Sequence, residues 1–443
     1  MPKVSGTAIP SPIPPKNGRS FSSKSTVLTL KSTMMKIAFS PPFIDQNVID
    51  EVVDTLESRW ITSGPKVQAL EAEMTKLSQC KKSICINSWT SGAIMMLKWF
   101  GIKAGDEVII PAYSYCATAL CVLHCGATPV MVDIADDLTI DPIALRKAIT
   151  AKTKVVISVD IAGLPAKYEA IRTILESKSV RGYFNPSSEK QQALGRILLL
   201  ADAAHSIGAS YHGLPAALKS DVTIYSFHAV KNITTAEGGC ICLNLPRNFD
   251  HEEEYKFLKI FALNGQNKDA YAKSKGANWK YDILYQGLKI NMPDICAAIG
   301  LAQIRQYEEL LQPSRKHIAL KYCSHFNRHK WFIAPTLMDQ DRESSYHVFP
   351  LRIRGINETE RDQIIEQLVE LGITVNVHFI PMPMLSLFRL LGYKIADFPN
   401  SYRQYACEIS LPIYPQLRTE EVDYIIAAVI RTVNHTLKMK DNY

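Results

Sequence analysis

The sequence predicts an α/β protein: a large domain over residues 34–312 with a mostly parallel central sheet, then a smaller C-terminal α/β domain over 313–443. Three observations predict it. The run 197–200 is continuously apolar between Arg196 and Asp202, the pattern of a strand buried on both faces of a parallel sheet. Apolar runs at 84–86, 108–110 and 154–159 alternate with helix-period stretches, the β-α-β order that a parallel sheet requires. Beyond Pro313 the alternation starts again in miniature. There a strand pattern at 346–353 is followed by an amphipathic helix at 358–371 closed by Gly372 and a strand at 374–380. A long last helix is opened by Thr419, with Glu420 and Glu421 in its first turn.

At 443 residues, 47% hydrophobic and 21% charged, the chain is globular and long enough for two domains. Its formal charge of +7 looks basic, but Lys3, Lys16, Arg19, Lys24 and Lys31 supply five of those charges in an acid-free stretch, leaving +2 on the rest. That is not a nucleic-acid signature. None of the ten cysteines falls in a C-x-x-C pair, and the nearest spacings, Cys240/Cys242 and Cys121/Cys125, match no common zinc pattern. No metal is expected, and reduced thiols in the cytoplasm are the simplest account. No apolar run reaches the roughly 20 residues of a membrane span, and the first residues hold no compact hydrophobic segment of secretory type. Residues 1–33, rich in Ser, Pro and Lys, read as a disordered tail, a transit-like leader or an artefactual extension ahead of Met34 or Met35.

In chain order, Val48, Val52, Val53 and Leu56 recur at helical spacing, and the stretch 60–65 breaks that helix before another begins. A short strand at 84–86 leads into Asn87-Ser88-Trp89-Thr90-Ser91-Gly92 and a helix-like apolar run. Amides and hydroxyls so placed make a helix cap or an anion site. Gly105-Asp106 and a buried strand are followed by helix, turn and strand to 134, and Asp141-Pro142 opens a helix as N-cap and first residue. The strand at 154–159 ends at Asp160, and the polar, turn-rich stretch 177–195 reads as a surface insertion. Asp202 closes the central strand. The apolar run 222–227 then gives way to a polar loop, 228–237, holding Lys231, before Gly238-Gly239 and a strand at 240–243. A helix at 255–263, an exposed polar loop at 264–279 and a helix at 293–311 with Pro at its start complete the large domain.

Ligands of open α/β sheets bind outside the carboxyl ends of the strands, so Asp202 and Lys231 arrive at one edge of one sheet. A lysine there can form a Schiff base. The commonest cofactor needing one is pyridoxal phosphate, whose ring nitrogen wants a carboxylate to keep it protonated. Taken alone, the two residues read better as a helix N-cap and a solvated loop lysine. The surrounding text reverses that. DAAHSIGA around Asp202 and SFHAVKNITTAEGG around Lys231 closely resemble the signature of the DegT-type sugar nucleotide aminotransferases, pyridoxal phosphate enzymes of the aspartate aminotransferase fold. SRWITSGPKVQALE, YQGLKINMPDICAAIGLAQI, SSYHVFPLRI, GITVNVHFIPMPM and SLPIYPQL resemble further motifs of the family, so the likeness spans about 37–433.

The resemblance implies a fold type I pyridoxal phosphate-dependent transferase. It makes Lys231 and Asp202 the catalytic pair and cofactor anchors, sets His205 near the cofactor's phenolic oxygen, and brings the Ser226 hydroxyl to the phosphate. Where the family has Ser-Gly-Thr at the phosphate, this chain has Ser88-Trp89-Thr90, so Thr90 and Trp89 are carried over. Tyr115 takes the aromatic position stacked on the pyridine ring, with Ser114 in place of a threonine. Lys289 and Asn291 correspond to residues that cross to the neighbouring subunit's phosphate, and His378 is the substrate contact. The family's His-x-x-Gly turn is Asp160-Ile161-Ala162-Gly163 here, which leaves that turn without its usual substrate contact. His228 reads as a loop residue.

The implied reaction is a ping-pong transamination in which an amino donor, by family habit glutamate, supplies the amine that converts a nucleotide-linked keto sugar to an amino sugar. Polysaccharide or amino-sugar biosynthesis is the implied setting. The implied assembly is a cytoplasmic homodimer with shared active sites, with no nucleic-acid or membrane partner. In the family's dehydratase branch a histidine stands where this chain has Lys231, so the lysine favours transamination. Two alternatives stay open: a divergent pyridoxal phosphate enzyme of dehydratase or aromatising type, and a non-catalytic regulatory homologue.

Overall fold

A computed structural model describes residues 35–268 and 279–440. The tail expected at 1–33 and most of the loop expected at 264–279 lie outside the described residues. Seven strands form the main sheet in the order Lys82–Ile86, Gly239–Leu243, Val222–Ser226, Leu198–Asp202, Thr153–Val159, Glu107–Pro111, Thr128–Val132. The last five pair in parallel, while Gly239–Leu243 runs antiparallel to both of its neighbours. Every residue of Thr153–Val159 and Leu198–Asp202 is buried, as continuous apolar runs require of strands covered on both faces. Each leucine of the central run contributes about 1.5–3 kcal/mol by that burial.

This topology collects the chemistry on one edge. Val159 pairs with Asp202 at the carboxyl ends of neighbouring strands, while Gly239 stands between Ser226 and Ile86. The helix Trp89–Trp99 starts from that same edge, directly after Lys82–Ile86. A Cβ on Gly239 would lie 2.7 Å from the Tyr225 carbonyl oxygen and 2.9 Å from the Trp89 nitrogen, so only glycine lets strand and helix start approach this closely.

A second, antiparallel sheet joins Phe332–Ile333, Phe349–Ile353 and Glu408–Leu411. Its own apolar core includes Phe326, Phe349, Leu351, Ile364, Leu368, Ile425 and Val429, closed by the helices Glu358–Glu370 and Thr419–Lys440. Asn357 and Glu360 form a reciprocal capping box at the start of the first of these. Among the described residues, no helix is long and apolar enough to cross a membrane.

Three sequence expectations are corrected. The strand expected at 346–353 is Phe349–Ile353, because Tyr346 is left-handed at φ 58° and the Ser345 amide pairs instead with Gly163 of the large sheet's edge. The segment 374–380 forms no strand; the Thr374 amide donates to Ile37 O and Asn376 pairs with Ser410, while the amides of Val377 and His378 are taken by the side chains of Asn376 and Glu408. The helix expected at 293–311 ends at Ile304, and a π-helical turn Tyr307–Leu311 runs on into Gln312–Phe326. Tyr307 causes the break by burying its ring and donating its hydroxyl to Ile207 O at 2.6 Å. The stretch 177–195, expected as a surface insertion, carries two short helices, Lys178–Tyr183 and Glu189–Leu194, pinned by buried Val180 and by the Gln191 side-chain amide donating to Phe100 O at 3.0 Å.

Candidate active site

The carboxyl edge of the main sheet opens into a cavity of about 500 Å³ lined by Asp202, Lys231, His205, Ser226, Thr90, Trp89, Tyr115 and His378. Eight of the ten residues singled out from the sequence therefore meet in one place; Lys289 and Asn291 do not line it.

Asp202 is the last residue of Leu198–Asp202 and is buried. Thr118 Oγ1 donates to its Oδ2 at 2.9 Å and the Ala204 amide to its Oδ1 at 3.3 Å. Burial pushes the carboxyl up to about 7, against the pull of Thr118, Ala204 and Lys231.

Lys231 sits in the hairpin loop, and its neighbour Asn232 pins it. The Asn232 amide donates to Ser345 O at 3.1 Å and to the Tyr307 hydroxyl at 3.3 Å, while its Oδ1 lies 2.7 Å from His347 Nδ1. The Thr234 amide donates to Gln303 Oε1 at 2.9 Å. The lysine amine itself makes no hydrogen bond or ion pair among the described residues and lines the cavity. Burial lowers it to about 8, with Asp202 opposing, so a usable share is neutral near physiological pH.

His205 is buried, and its Nδ1 accepts the Ala162 amide at 3.2 Å, which places the ring proton on Nε2. Burial, reinforced by Lys231, holds it well below its ordinary value, hence neutral. Its ring stacks on Phe379 at 5.8 Å and meets His347 at 4.7 Å.

At the other end, Ser88 caps Trp89–Trp99 by accepting the Ser91 amide at 3.1 Å, and Ser88, Thr90 and Ser226 all line the cavity. The Trp89 indole nitrogen is buried without a partner. First-turn amides of any helix lack intrahelical partners, and with the helix dipole they favour an anion.

Tyr115 is 61% exposed, its ring 5.9 Å from Phe379. The His378 Nδ1 lies 2.8 Å from Ser410 Oγ. The Lys289 ammonium donates to Asn291, whose amide donates to the Ser63 hydroxyl at 2.6 Å. The His228 imidazole is exposed, 3.7 Å from the Glu237 carboxylate. Sequence reasoning missed Thr118, Phe379 and Asn376. Nothing in the sequence singles out Thr118; the fold brings its hydroxyl to 2.8 Å from that of Ser114 and to Asp202.

Residues 42–182 and 188–430 match the family model described as the DegT/DnrJ/EryC1/StrS aminotransferase family. The chain belongs to this family. Over 398 residues it is 33% identical to the spore coat polysaccharide biosynthesis protein SpsC of Bacillus subtilis, covering 89% of this chain and 96% of that one. Spr1654 of Streptococcus pneumoniae, assigned as a sugar aminotransferase, superposes in its PMP-form with a TM-score of 0.87 at 40% identity, covering 92% of this chain and 100% of its own. Its PLP-form gives 0.86. Helicobacter pylori PseC, an aminotransferase involved in the biosynthesis of pseudoaminic acid, gives 0.79 at 28% identity, covering 90% of this chain and 100% of its own.

The chain is thus a sugar aminotransferase-family protein of fold type I, and its cofactor is pyridoxal phosphate. The residues present fit that group. A helix start flanked by Thr90 and Ser226 at the cavity suits a phosphate, and a buried carboxyl suits a ring nitrogen. An amine without a partner suits the aldehyde carbon.

Proposed function

We propose that this chain moves an amino group from glutamate to the keto carbon of a nucleotide-linked deoxysugar, producing an amino sugar for polysaccharide or amino-sugar biosynthesis. The observation that carries the proposal is the amine of Lys231 and the buried carboxyl of Asp202 lining one cavity. The names of SpsC and PseC support the sugar and polysaccharide setting.

In this reading Thr90, Trp89 and Ser226, with the first-turn amides of Trp89–Trp99, hold the phosphate. His205 sits at the phenolic oxygen and Tyr115 against the ring face. Asp202, steadied by Thr118, keeps the ring nitrogen protonated. The bound cofactor supplies an electron sink that lets the donor's α-proton leave. Lys231 would anchor the cofactor until the donor arrives and would then take the α-proton at Nζ and return it on the far side of the transferred nitrogen, a base whose burial-lowered pKa of about 8 suits neutral solution. In the second half-reaction Lys231 delivers the proton to the sugar carbon, and His378 binds the sugar.

The active unit in this proposal is a cytoplasmic homodimer. The helix Gln46–Glu57 leaves Ile49, Val53 and Leu56 exposed on its outer side, an apolar strip that a second copy would cover. Lys289 and Asn291, which stand outside their own cavity, would reach the partner's phosphate. The ten free thiols suit a reducing compartment. A large domain to 312 and a small one from 313 belong to the same reading, supported by the seven-stranded sheet before 313 and the Phe332–Ile333, Phe349–Ile353 and Glu408–Leu411 sheet after it, with one small sheet pairing Arg342–Glu343 to Ser210–Tyr211 across the boundary.

The test is to incubate the protein with pyridoxal phosphate, glutamate and a panel of nucleotide-linked keto sugars and to weigh the products. An amino sugar with matching 2-oxoglutarate supports the proposal. Amine transfer from glutamate to none of the panel, with cofactor bound, contradicts it.

A further inference from the structure

Transamination as described above does not use the buried carboxyl of Glu408, yet that carboxyl begins a short hydrogen-bonded chain into the cavity. Glu408 and Ser410 alternate on the strand Glu408–Leu411 and so face the same side. Ser410 Oγ lies 2.5 Å from Glu408 Oε1 and 2.8 Å from His378 Nδ1, and the His378 amide donates to Glu408 Oε2 at 3.0 Å. The backbone around the chain is clamped. Asn376 and Ser410 exchange amide–carbonyl bonds of 3.2 and 2.7 Å, and the Tyr113 hydroxyl donates to His378 O at 2.7 Å. With Nδ1 engaged, Nε2 is the nitrogen His378 has left for the cavity, and among the described residues it has no protein partner.

Two proton arrangements satisfy every donor and acceptor in this chain. An ionised Glu408 accepts from the His378 amide and from the Ser410 hydroxyl. Ser410 Oγ must then accept from Nδ1–H, leaving Nε2 as an acceptor. A protonated Glu408 donates to Ser410 Oγ, the Ser410 hydroxyl donates to Nδ1, and the ring proton must sit on Nε2. We propose that Glu408, acting through Ser410, sets the tautomer of His378 and so switches its cavity-facing nitrogen between hydrogen-bond acceptor and donor. One proton is taken up from solvent and ends on Glu408, while the imidazole proton moves from Nδ1 to Nε2 by exchange with water in the cavity.

The surroundings allow this. Burial, with Lys231, lowers His378 to about 3, so the ring stays neutral and only its tautomer changes. Burial raises Glu408 to about 8, with Ser410, the His378 amide, Arg361 and Arg352 pulling down. The other groups facing Glu408 are Arg352 on Phe349–Ile353, Arg361 on Glu358–Glu370, Tyr113 beyond Glu107–Pro111, and adjacent Cys407. Tyr113 and Cys407 are both raised and the guanidiniums remain charged, so Glu408 is the group that changes state near neutral pH. Lys231 and His205 face His378 from the far side. Glu408 is a positioning residue. Its effect on a sugar hydroxyl rests on the assignment of His378 to the substrate.

The test is nitrogen-15 spectroscopy of histidine-labelled holoenzyme between about pH 6 and pH 10, with a His378→Gln variant to identify the resonance. The expected result is Nε2–H at low pH and Nδ1–H at high pH, with one transition near pH 8. Glu408→Gln, whose amide donates to Ser410 as the protonated acid does, should keep Nε2–H throughout. Ser410→Ala should lose the transition while leaving the Glu408 charge in place. A wild-type tautomer constant over the range, or a transition surviving in Glu408→Gln, overturns the proposal. If the transition is present but the KM for the keto sugar does not follow it, the switch stands and the substrate assignment of His378 falls.

Discussion

The Thr118 hydroxyl lies 2.9 Å from Oδ2 of Asp202, with the Ser114 hydroxyl 2.8 Å behind it. The carboxyl that ends the central strand is therefore held by a side chain of the helix Ala117–His124 packed across the sheet edge. A donor aimed at a carboxylate favours its charged form, so Thr118→Val should raise Asp202 further and leave a buried oxygen short of a partner. The expected outcome is a loss of about tenfold in kcat/KM, with the acid limb of the pH–rate profile moved to higher pH. An unchanged profile would separate Thr118 from the chemistry.

Asp202 also links stability to pH in the cofactor-free protein. Its folded value of about 7 lies above the usual 3.8, so the folded state holds that proton more tightly. The stabilisation is complete below about pH 4 and is lost as pH rises through about 7, on the order of 4 kcal/mol. Lys231 acts in a different window. Lowered from 10.5 to about 8, it makes the fold gain stability as pH rises between those values. Urea midpoints across pH should show the first slope vanish in Asp202→Asn and the second in Lys231→Met.

Gly239→Ala tests the close approach at the phosphate end. Its Cβ would meet the Tyr225 carbonyl at 2.7 Å and the Trp89 nitrogen at 2.9 Å, and both are backbone atoms. We expect a stability loss of about 1–3 kcal/mol and cofactor binding weakened by about tenfold or more, read by urea unfolding and absorbance titration. Cofactor affinity equal to wild type would place the phosphate elsewhere.

Leu56→Glu on the exposed strip of Gln46–Glu57 should cost little in the fold of one chain, since Leu56 is 53% exposed. If the proposed homodimer holds, sedimentation should show a dimer for the wild type and a monomer for the variant, and pyridoxal phosphate affinity should fall because Lys289 and Asn291 would no longer reach a partner. A dimer that survives the substitution moves the interface elsewhere.

Pattern alone placed the strands and loops that carry the candidate site, and the family resemblance of the motifs on them singled out its residues. Asp202 follows an unbroken apolar run, Lys231 lies in a polar loop between two such runs, and Thr90 follows a serine that caps a helix. What escaped depends on contacts between distant residues. Thr118 looks like any helical threonine until the fold sets it against Asp202, 84 residues away. The segment 374–380 has strand composition, yet side chains of Asn376 and Glu408 claim its amides, a competition that composition does not reveal. The helix break before Tyr307 follows likewise from a tyrosine hydroxyl reaching Ile207 O, not from any glycine or proline.

The central claim is transamination through Lys231, and visible absorbance tests it most directly. The purified holoenzyme should be yellow, should bleach toward the near-ultraviolet with glutamate alone, and should recover its colour when a nucleotide-linked keto sugar is added. Lys231→Ala should fold as the wild type does, by circular dichroism, and lose turnover by about a thousandfold or more. A wild-type protein that binds pyridoxal phosphate but keeps its colour with glutamate and other amino donors would contradict the claim, as would full turnover in Lys231→Ala.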